Sequence, residues 1–460
     1  MTRFQWGNDD LAAEFALTED DVLRLERLSA PSAHHPDAPV PLVAVSATGH
    51  GRTWSGNRFI HTTIGERLRH KEHRSTHEDG LRTLTIELHD PETALTAEVV
   101  YRLADGIPVL RAEVLLRNDG PTALHLETVS SLAVGCLTEA LDDAEVMWAD
   151  NDWFAECRWR REPLRLSSPM ISGRVRMGYG RGAFVLAGQG AWSSCGTLPM
   201  GGLTDRRTGR TYVWQVEHNG GGWRWECGER EGSAYLAAFG PCESPHGWRH
   251  TLEPGAEFRT VPVALAYGDQ GPDQAFAAMT EHRRATRRPH PDHEQLPVIF
   301  NDYMNCLMGD PTTAKLLPLV DAAAEAGAEY FVIDAGWYAD EAENWWDTVG
   351  AWEPSQTRFP EGSTRSWTTS GTRAWCPACG WSPRWSGRAA RSPTPCPRRR
   401  SSAARACGSW KAAGTSSTCA TPRPAPTSTG SWTGWSASGA SATSSWTTTS
   451  TTGRHQRPPR

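Results

Sequence analysis

At 460 residues the chain has room for two or three domains. A net charge of −6 comes with 38% hydrophobic residues, and no run of 18 apolar residues occurs, which excludes a membrane-spanning helix. Eleven cysteines scattered over such a length exclude a small disulfide-stapled framework.

These averages join two unlike parts. Residues 363–460 contain not one Asp, Glu, Leu, Ile, Val, Met, Phe, Tyr or Asn. Their 13 Arg and one Lys contribute +14, so residues 1–362 carry about −20. The change is abrupt and falls after Gly362. Six cysteines precede it (Cys136, Cys157, Cys195, Cys227, Cys242, Cys306), without metal-ligand spacing, as suits a reducing compartment. The N-terminal MTRFQWGNDD has no apolar signal core, and we expect a cytoplasmic protein with no membrane partner.

Strand patterns dominate the first part. Leu84, Ile86 and Leu88 alternate with Thr85, Glu87 and His89. Leu110, Ala112, Val114 and Leu116 line one face of a second segment, with Arg111, Glu113 and Arg117 on the other. Period-two alternation broken by Asp-Gly and Asn-Asp-Gly turns predicts antiparallel sheet. It continues through TYVWQVEHNGGGWRWE, where Asn219-Gly220 reads as a hairpin signal. The expectation is a large β-sandwich over residues 1–285 and a linker at 286–296, within a charged, proline-containing segment at 281–297 that reads as a linker or as a short helix followed by one.

The pattern changes at residue 297. PVIFND reads as a buried strand, and TTAKLLPLVDAAAEAGA as a helix capped by Thr312 and stopped by Gly327, with Pro318 an internal irregularity. EYFVIDAGWY reads as a second buried strand. Strand, helix and strand on short connections predict parallel sheet, and polar residues after each strand suggest a (β/α) barrel, whose site lies at the C-terminal strand ends. The first end offers Asn301, Asp302, Tyr303 and Asn305; the second offers Asp334, Trp337 and Tyr338, then Trp345, Trp346, Asp347 and Trp352. A carboxylate among indoles can hold a sugar, the ring face on pyranose C–H groups and the Asp accepting from neighbouring hydroxyls. The same residues read equally well as core tryptophans and a helix-capping Asp.

Asp-Ala-Gly-Trp at the end of a second barrel strand, followed by WWDTVGAWEPSQTRFPEG, resembles the glycoside hydrolase family 36 α-galactosidases (melibiases). VIFNDYMN is similar to that family's first barrel strand, and WADNDWFAECRWRREPL and YVWQVEHNGGGWRWE to segments of its sandwich. The resemblance covers nearly all of residues 1–362. It implies an N-terminal β-sandwich before a (β/α)8 TIM barrel, of which residues 297–362 supply the first two βα units. It also implies a terminal α-galactoside as substrate, no cofactor or metal, and an intact homologue that forms a homo-oligomer. The implied sugar contacts are Asp334, Trp337, Trp352, Tyr303 and Asn301. Two departures stand out. The family often has Asp-Asp-Gly-Trp, where this chain has Ala335 in place of the second Asp, and Tyr303 replaces what is commonly Trp.

The tail admits three readings. Cys376 and Cys379 form a Cys-x-x-Cys, but zinc needs four ligands, and Cys396, Cys407 and Cys419 form no second close pair. Arg398, Arg399 and Arg400 among tryptophans suggest a disordered basic tail on nucleic acid, yet such tails rarely carry eight tryptophans with no Leu, Val or Ile. The third reading is translation out of frame. With GC-rich codons, moving back one base turns STRSWTTSGTRAW into LDEVLDHIRDAGM, an amphipathic helix with a glycine stop. AWCPACGWSPRWSG becomes GMVPGLWLEPEVVG, a buried strand ending in Glu, and ATSSWTTTS becomes YFKLDYNI. These words follow the family's order and include the Lys-x-Asp strand end that the resemblance assigns to the nucleophile. The expectation is therefore a one-base loss after Gly362, an out-of-frame, non-native or disordered tail over 363–460, no nucleic-acid partner, and no catalytic residue. The nucleophile's codon straddles those of Trp446 and Thr447, and the acid/base Asp belongs beyond Arg460. Two strands of an eight-strand barrel leave an open edge and apolar faces, so residues 297–362 are expected to be poorly ordered or aggregation-prone. The alternative is a non-catalytic carbohydrate-binding β-sandwich with a disordered basic tail.

Overall fold

A computed structural model describes residues 1–29, 40–52, 58–167, 182–340, 345–350, 352–360 and 376–379. They fall into two compact units, Met1–Arg288 and Pro289–Arg460. The expected fold class holds: an antiparallel, sheet-rich first domain and the start of a parallel barrel.

The first unit holds a three-stranded antiparallel sheet (Thr2–Gly7, Ala12–Leu17 and Leu23–Ser29) and two larger sheets. The larger contains β5 (Arg69–Glu78), β6 (Leu81–Asp90), β7 (Leu95–Ala104) and β8 (Val109–Asn118) as a meander. From β8 it continues through β20 (Val263–Gly268), β15 (Thr211–Val216), β14 (Met200–Asp205), β10 (Ala144–Asp152) and β11 (Ala155–Pro163). The smaller runs β12 (Ala183–Gly188), β16 (Trp223–Arg230), β17 (Ser233–Phe239), β9 (Leu124–Val134) and β18 (His250–Leu252). The alternating residues behave as the pattern requires: Leu84, Ile86, Leu88, Leu110, Ala112, Val114 and Leu116 are all buried. Trp214 of β15 meets Trp225 of β16 edge-on at 5.0 Å, an indole contact from one sheet to the other.

One sequence expectation needs correction here. Asn219-Gly220 does not close a hairpin, because β15 and β16 lie in different sheets and the segment crosses between them. Glycine serves close approach instead: a Cβ on Gly221 would stand 1.7 Å from the Gly190 carbonyl oxygen. Asp79-Gly80 does join a paired β5–β6, both residues at positive φ as a tight hairpin demands. The segment before the linker takes the helical alternative, and the helix begins earlier, at Pro272. Helix α1 (Pro272–Thr286) starts with proline after Gly271 and packs Ala275, Ala278 and Met279 on Val213, Ala264 and Ala266. That helix explains why β20 is buried on both faces.

In the second unit β21 (Ile299–Asn301), α2 (Thr313–Glu325) and β22 (Tyr330–Ile333) form one right-sized βαβ element, with β21 and β22 parallel. Thr312 caps α2, its side chain accepting the Lys315 N–H, and Gly327 follows the helix at φ 86°. Pro318 sits inside α2 without ending it. Leu316, Val320 and Ala323, at i, i+4 and i+7, pack with Phe331, Ile333, Trp337 and Phe359. Residues 297–340 take this βαβ arrangement, in which one helix stripe gives both strands a surface to rest on. The first strand is nonetheless not buried as predicted, since Val298 and Ile299 are 56% and 59% exposed. No described strand lies on its outer side. Of the tail, only Cys376–Cys379 is described: it forms β23, parallel to β22 in the register Tyr330↔Cys376 to Ile333↔Cys379. The rest of the out-of-frame reading lies outside the described residues.

One titration is built into the first unit. His61 is buried, and desolvation first, then the charges of Arg230 and Arg58, push its imidazole down to about 4. The unfolded chain binds this proton near pH 6.5, so stability from this site is present above that pH and is lost as pH falls toward 4. Between pH 7 and 5 the loss should be about 1–2 kcal/mol, short of the full linkage because of solvent screening and the opposing Glu66 3.8 Å away. Urea titrations should show His61→Gln removing most of this slope.

Candidate functional site

The ladder brings the two strand ends together. Phe300 pairs with Phe331 and Asn301 with Val332, and the pairing runs one residue further where the Asp302 N–H donates to the Val332 carbonyl at 3.1 Å. Next to that bond Asn301 Nδ2 donates to Asp334 Oδ2 at 2.8 Å, while Asn301 Oδ1 accepts the Tyr303 N–H at 2.9 Å. One amide therefore orients both the Asp334 carboxylate and the start of the Tyr303 loop. On the other side, Asp302 Oδ1 accepts the Asp334 N–H at 2.9 Å. Asp334 is half-buried and Asn301 exposed, so the Asn301–Asp334 bond lies where a polar ligand can reach it.

The two loops then touch. A Cβ on Gly336 would fall 1.9 Å from the Gly309 carbonyl oxygen, and one on Gly309 would strike the Trp345 ring at 2.5 Å. Both glycines also have positive φ, 84° and 86°, so the Gly of Asp-Ala-Gly-Trp is required by backbone shape and by space. The 352–360 segment is pinned to the same loop. Ser355 N–H donates to the Trp337 carbonyl at 2.9 Å, and the hydroxyls of Ser355 and Thr357 donate to Asp340 Oδ1 at 2.7 and 2.9 Å. Arg358, almost wholly buried, donates to the Ala339 carbonyl and to Asp310, which also receives Lys315. Thr-Arg-Phe-Pro is thus a fastening: Arg358 clamps the loop while Phe359 plugs the core beneath.

The aromatics divide into two groups. Tyr303 meets Trp345 edge-on at 5.7 Å, and Trp345 meets Trp346, which is 65% exposed. Trp352, partly exposed, lies 5.1 Å from Tyr338 and 6.2 Å from Trp337. Trp337 itself is buried in the α2 cluster and supports its neighbours from below. Asn305 and Asp347 are exposed. The Tyr338 phenol is pushed up, by burial first and then by the Asp334 carboxylate and Tyr303. Of the five residues singled out for a sugar, the structure joins Asn301 to Asp334 and Tyr303 to Asn301, and sets Trp337 against Trp352.

Sequence reading undervalued Asp302. It is 2% exposed, and burial first, then the Asp334 charge, raise its carboxyl to about 6. The one available signal was its place directly after a barrel strand. Among the described residues no cluster of His, Cys, Asp and Glu could hold a metal ion, and no helix is long and apolar enough to cross a membrane.

Comparison with known proteins gives the fold a lineage. The glycosyl hydrolase family 36 N-terminal domain model matches residues 9–183, and the melibiase model matches residues 257–369. Alpha-galactosidase Mel36A of Lactobacillus acidophilus is 27% identical over 292 residues, covering 62% of this chain and 36% of that relative. AgaA of Geobacillus stearothermophilus is 25% identical over 293 residues, 62% of this chain and 37% of its own length. The chain thus spans little more than a third of the relatives it matches. Among solved structures, a variant of Geobacillus AgaA bound to 1-deoxygalactonojirimycin superposes with a TM-score of 0.67 at 18% identity, over 83% of this chain and 56% of that one. The α-galactosidase of Lactobacillus brevis gives 0.65 at 16% identity, over 83% and 55%. On these two family matches, the relatives and the shared fold, the chain belongs to glycoside hydrolase family 36.

Proposed function

We propose that the chain descends from a retaining α-galactosidase, keeps part of the subsite for a terminal α-galactosyl unit, and lacks catalysis because its frame is lost after Gly362. The Asn301–Asp334 bond supports the first half of this reading. It presents a carboxylate at a barrel strand end with one oxygen oriented by an amide, beside Tyr303, Tyr338 and Trp352. Such a carboxylate accepts hydrogen bonds from sugar hydroxyls, and the rings exclude water and pack on C–H faces. Trp337 holds Trp352 in place from below. Variants of the relative AgaA have been crystallised with raffinose and with stachyose, which fits an α-galactoside as the ligand class.

The second half rests on where the family likeness stops. The melibiase match ends at residue 369, seven residues past the compositional break at Gly362. Retaining hydrolysis needs two carboxyls about 5–5.5 Å apart, one attacking the anomeric carbon and one protonating the leaving oxygen. In the frame as translated, the strand end that would bring the nucleophile is read as Trp446 and Thr447.

Restoring one C after the Gly362 codon should turn p-nitrophenyl α-galactoside hydrolysis from background to measurable turnover. Activity of the purified 460-residue chain would overturn the proposal, as would a resequenced gene with no family reading in either neighbouring frame. In the frame-restored protein, Asp334→Asn should lower kcat/KM roughly 100-fold, the loss of charged hydrogen bonds to two hydroxyls. A change smaller than about threefold would remove Asp334 from the sugar subsite.

A further inference from the structure

At the two strand ends three polar groups converge on one residue. Asn301 holds the Asp334 side chain, and Asp302 holds the Asp334 main chain through Oδ1 at 2.9 Å. The second oxygen of Asp302, Oδ2, is buried and has no hydrogen-bond partner among the described residues. The Asp334 N–H bond favours the ionised form, but burial of an oxygen without a donor and the neighbouring Asp334 charge outweigh it, and a neutral carboxyl still accepts that N–H. Position 335, next to Asp334, is alanine and adds no further carboxylate to this strand end.

We propose that Asp302 is a positioning residue for Asp334: in its protonated form it clamps the Asp334 backbone, so that the Asp334 carboxylate stays aimed as an acceptor for galactoside hydroxyls. The role in sugar binding rests on the function proposed above; the clamp itself does not. Ionisation of Asp302 puts a second negative charge beside the first and loosens the strand end. The charged group facing Asp302 is Asp334 from β22. Tyr338 takes its upward push from burial, Asp334 and Tyr303, and Asp310 is occupied by Lys315 and Arg358. With burial raising the carboxyl to about 6, against 3.8 in the unfolded chain, the clamp is closed below pH 6 and opens as pH rises through it.

Hydrogen exchange of the full 460-residue chain tests this, read on peptides covering residues 330–338 and corrected for the intrinsic pH dependence, with sandwich peptides as internal controls. Protection should fall about tenfold from pH 5 to 7.5 in the wild type, less than the hundredfold ceiling of a two-unit shift because part of the loss falls between pH 3.8 and 5. Asp302→Asn should stay protected at both pH values, Asp302→Ala at neither, and Asp334→Asn should move the transition to lower pH. A flat wild-type profile, absent protection at every pH, or an Asn variant as unprotected as Ala would overturn the clamp. Titration with 1-deoxygalactonojirimycin separates the two readings. A pH-dependent clamp in a chain whose wild-type and Asp334→Asn forms bind no sugar would sink the subsite and leave the clamp standing.

Discussion

The parallel register that sets Asn301 opposite Val332 governs the chemistry of the second unit. Successive side chains of a strand point to opposite faces, so Asn301 and Asp302 leave β21 on different sides. Because the ladder continues through the Asp302 N–H, these two residues reach the side chain and the main chain of the same partner, Asp334. A slip of one residue would exchange their positions and put the buried carboxyl in the ligand's place. The loops need the same register: Gly309 and Gly336 meet at a separation no Cβ allows, and the contact exists only with the strand ends level.

What could be read from the chain divides along physical lines. Local periodicity was legible, since Leu84, Ile86 and Leu88, or Leu316, Val320 and Ala323, bury one face regardless of what lies beyond the element. The cap at Thr312 and the stop at Gly327 were legible for the same reason. Partnerships between distant segments were not. Asn219-Gly220 has the residues of a hairpin, but its flanking strands find better surface in opposite sheets, where Trp214 and Trp225 meet. The fate of Trp337 and Trp352 also depended on tertiary context: similar indoles fifteen residues apart end as a buried support and a partly exposed ring. Asp302 was visible only as one polar residue among four at a strand end. Its burial, and an Oδ2 that meets no partner among the described residues, depend on tertiary contacts that no local pattern encodes.

The third strand of the second unit separates two kinds of specificity. β23 takes its place on β22 through main-chain groups, with Tyr330–Ile333 alongside Cys376–Cys379. An open strand edge offers a row of N–H and C=O groups that any extended segment can satisfy, whatever its side chains. The cysteine pair that first suggests a metal therefore has a simpler account as backbone completing a ladder. Backbone pairing reports that β22 has a free edge; it carries no information on the frame in which the pairing segment was read.

The two units differ in how much of their folding each supplies for itself. The sandwich closes Trp214, Trp223 and Trp225 between its sheets and covers the outer face of β20 with α1, so its core is assembled from its own elements, while Trp153, Phe154, Leu166 and Trp192 stay exposed. The barrel segment has one helix stripe, a handful of strand residues and Phe359 to bury, while Val298, Ile299 and Leu296 remain exposed. At roughly 25 cal/mol per Å² of apolar surface removed from water, those side chains are stabilisation still to be gained from elements that carry Leu, Ile and Val. Residues 363–460 contain none of the three. The candidate site therefore depends on a few polar fastenings, the Thr312 cap, the Arg358 clamp and the Asp302 contact, where a closed barrel would add the packing of its remaining strands.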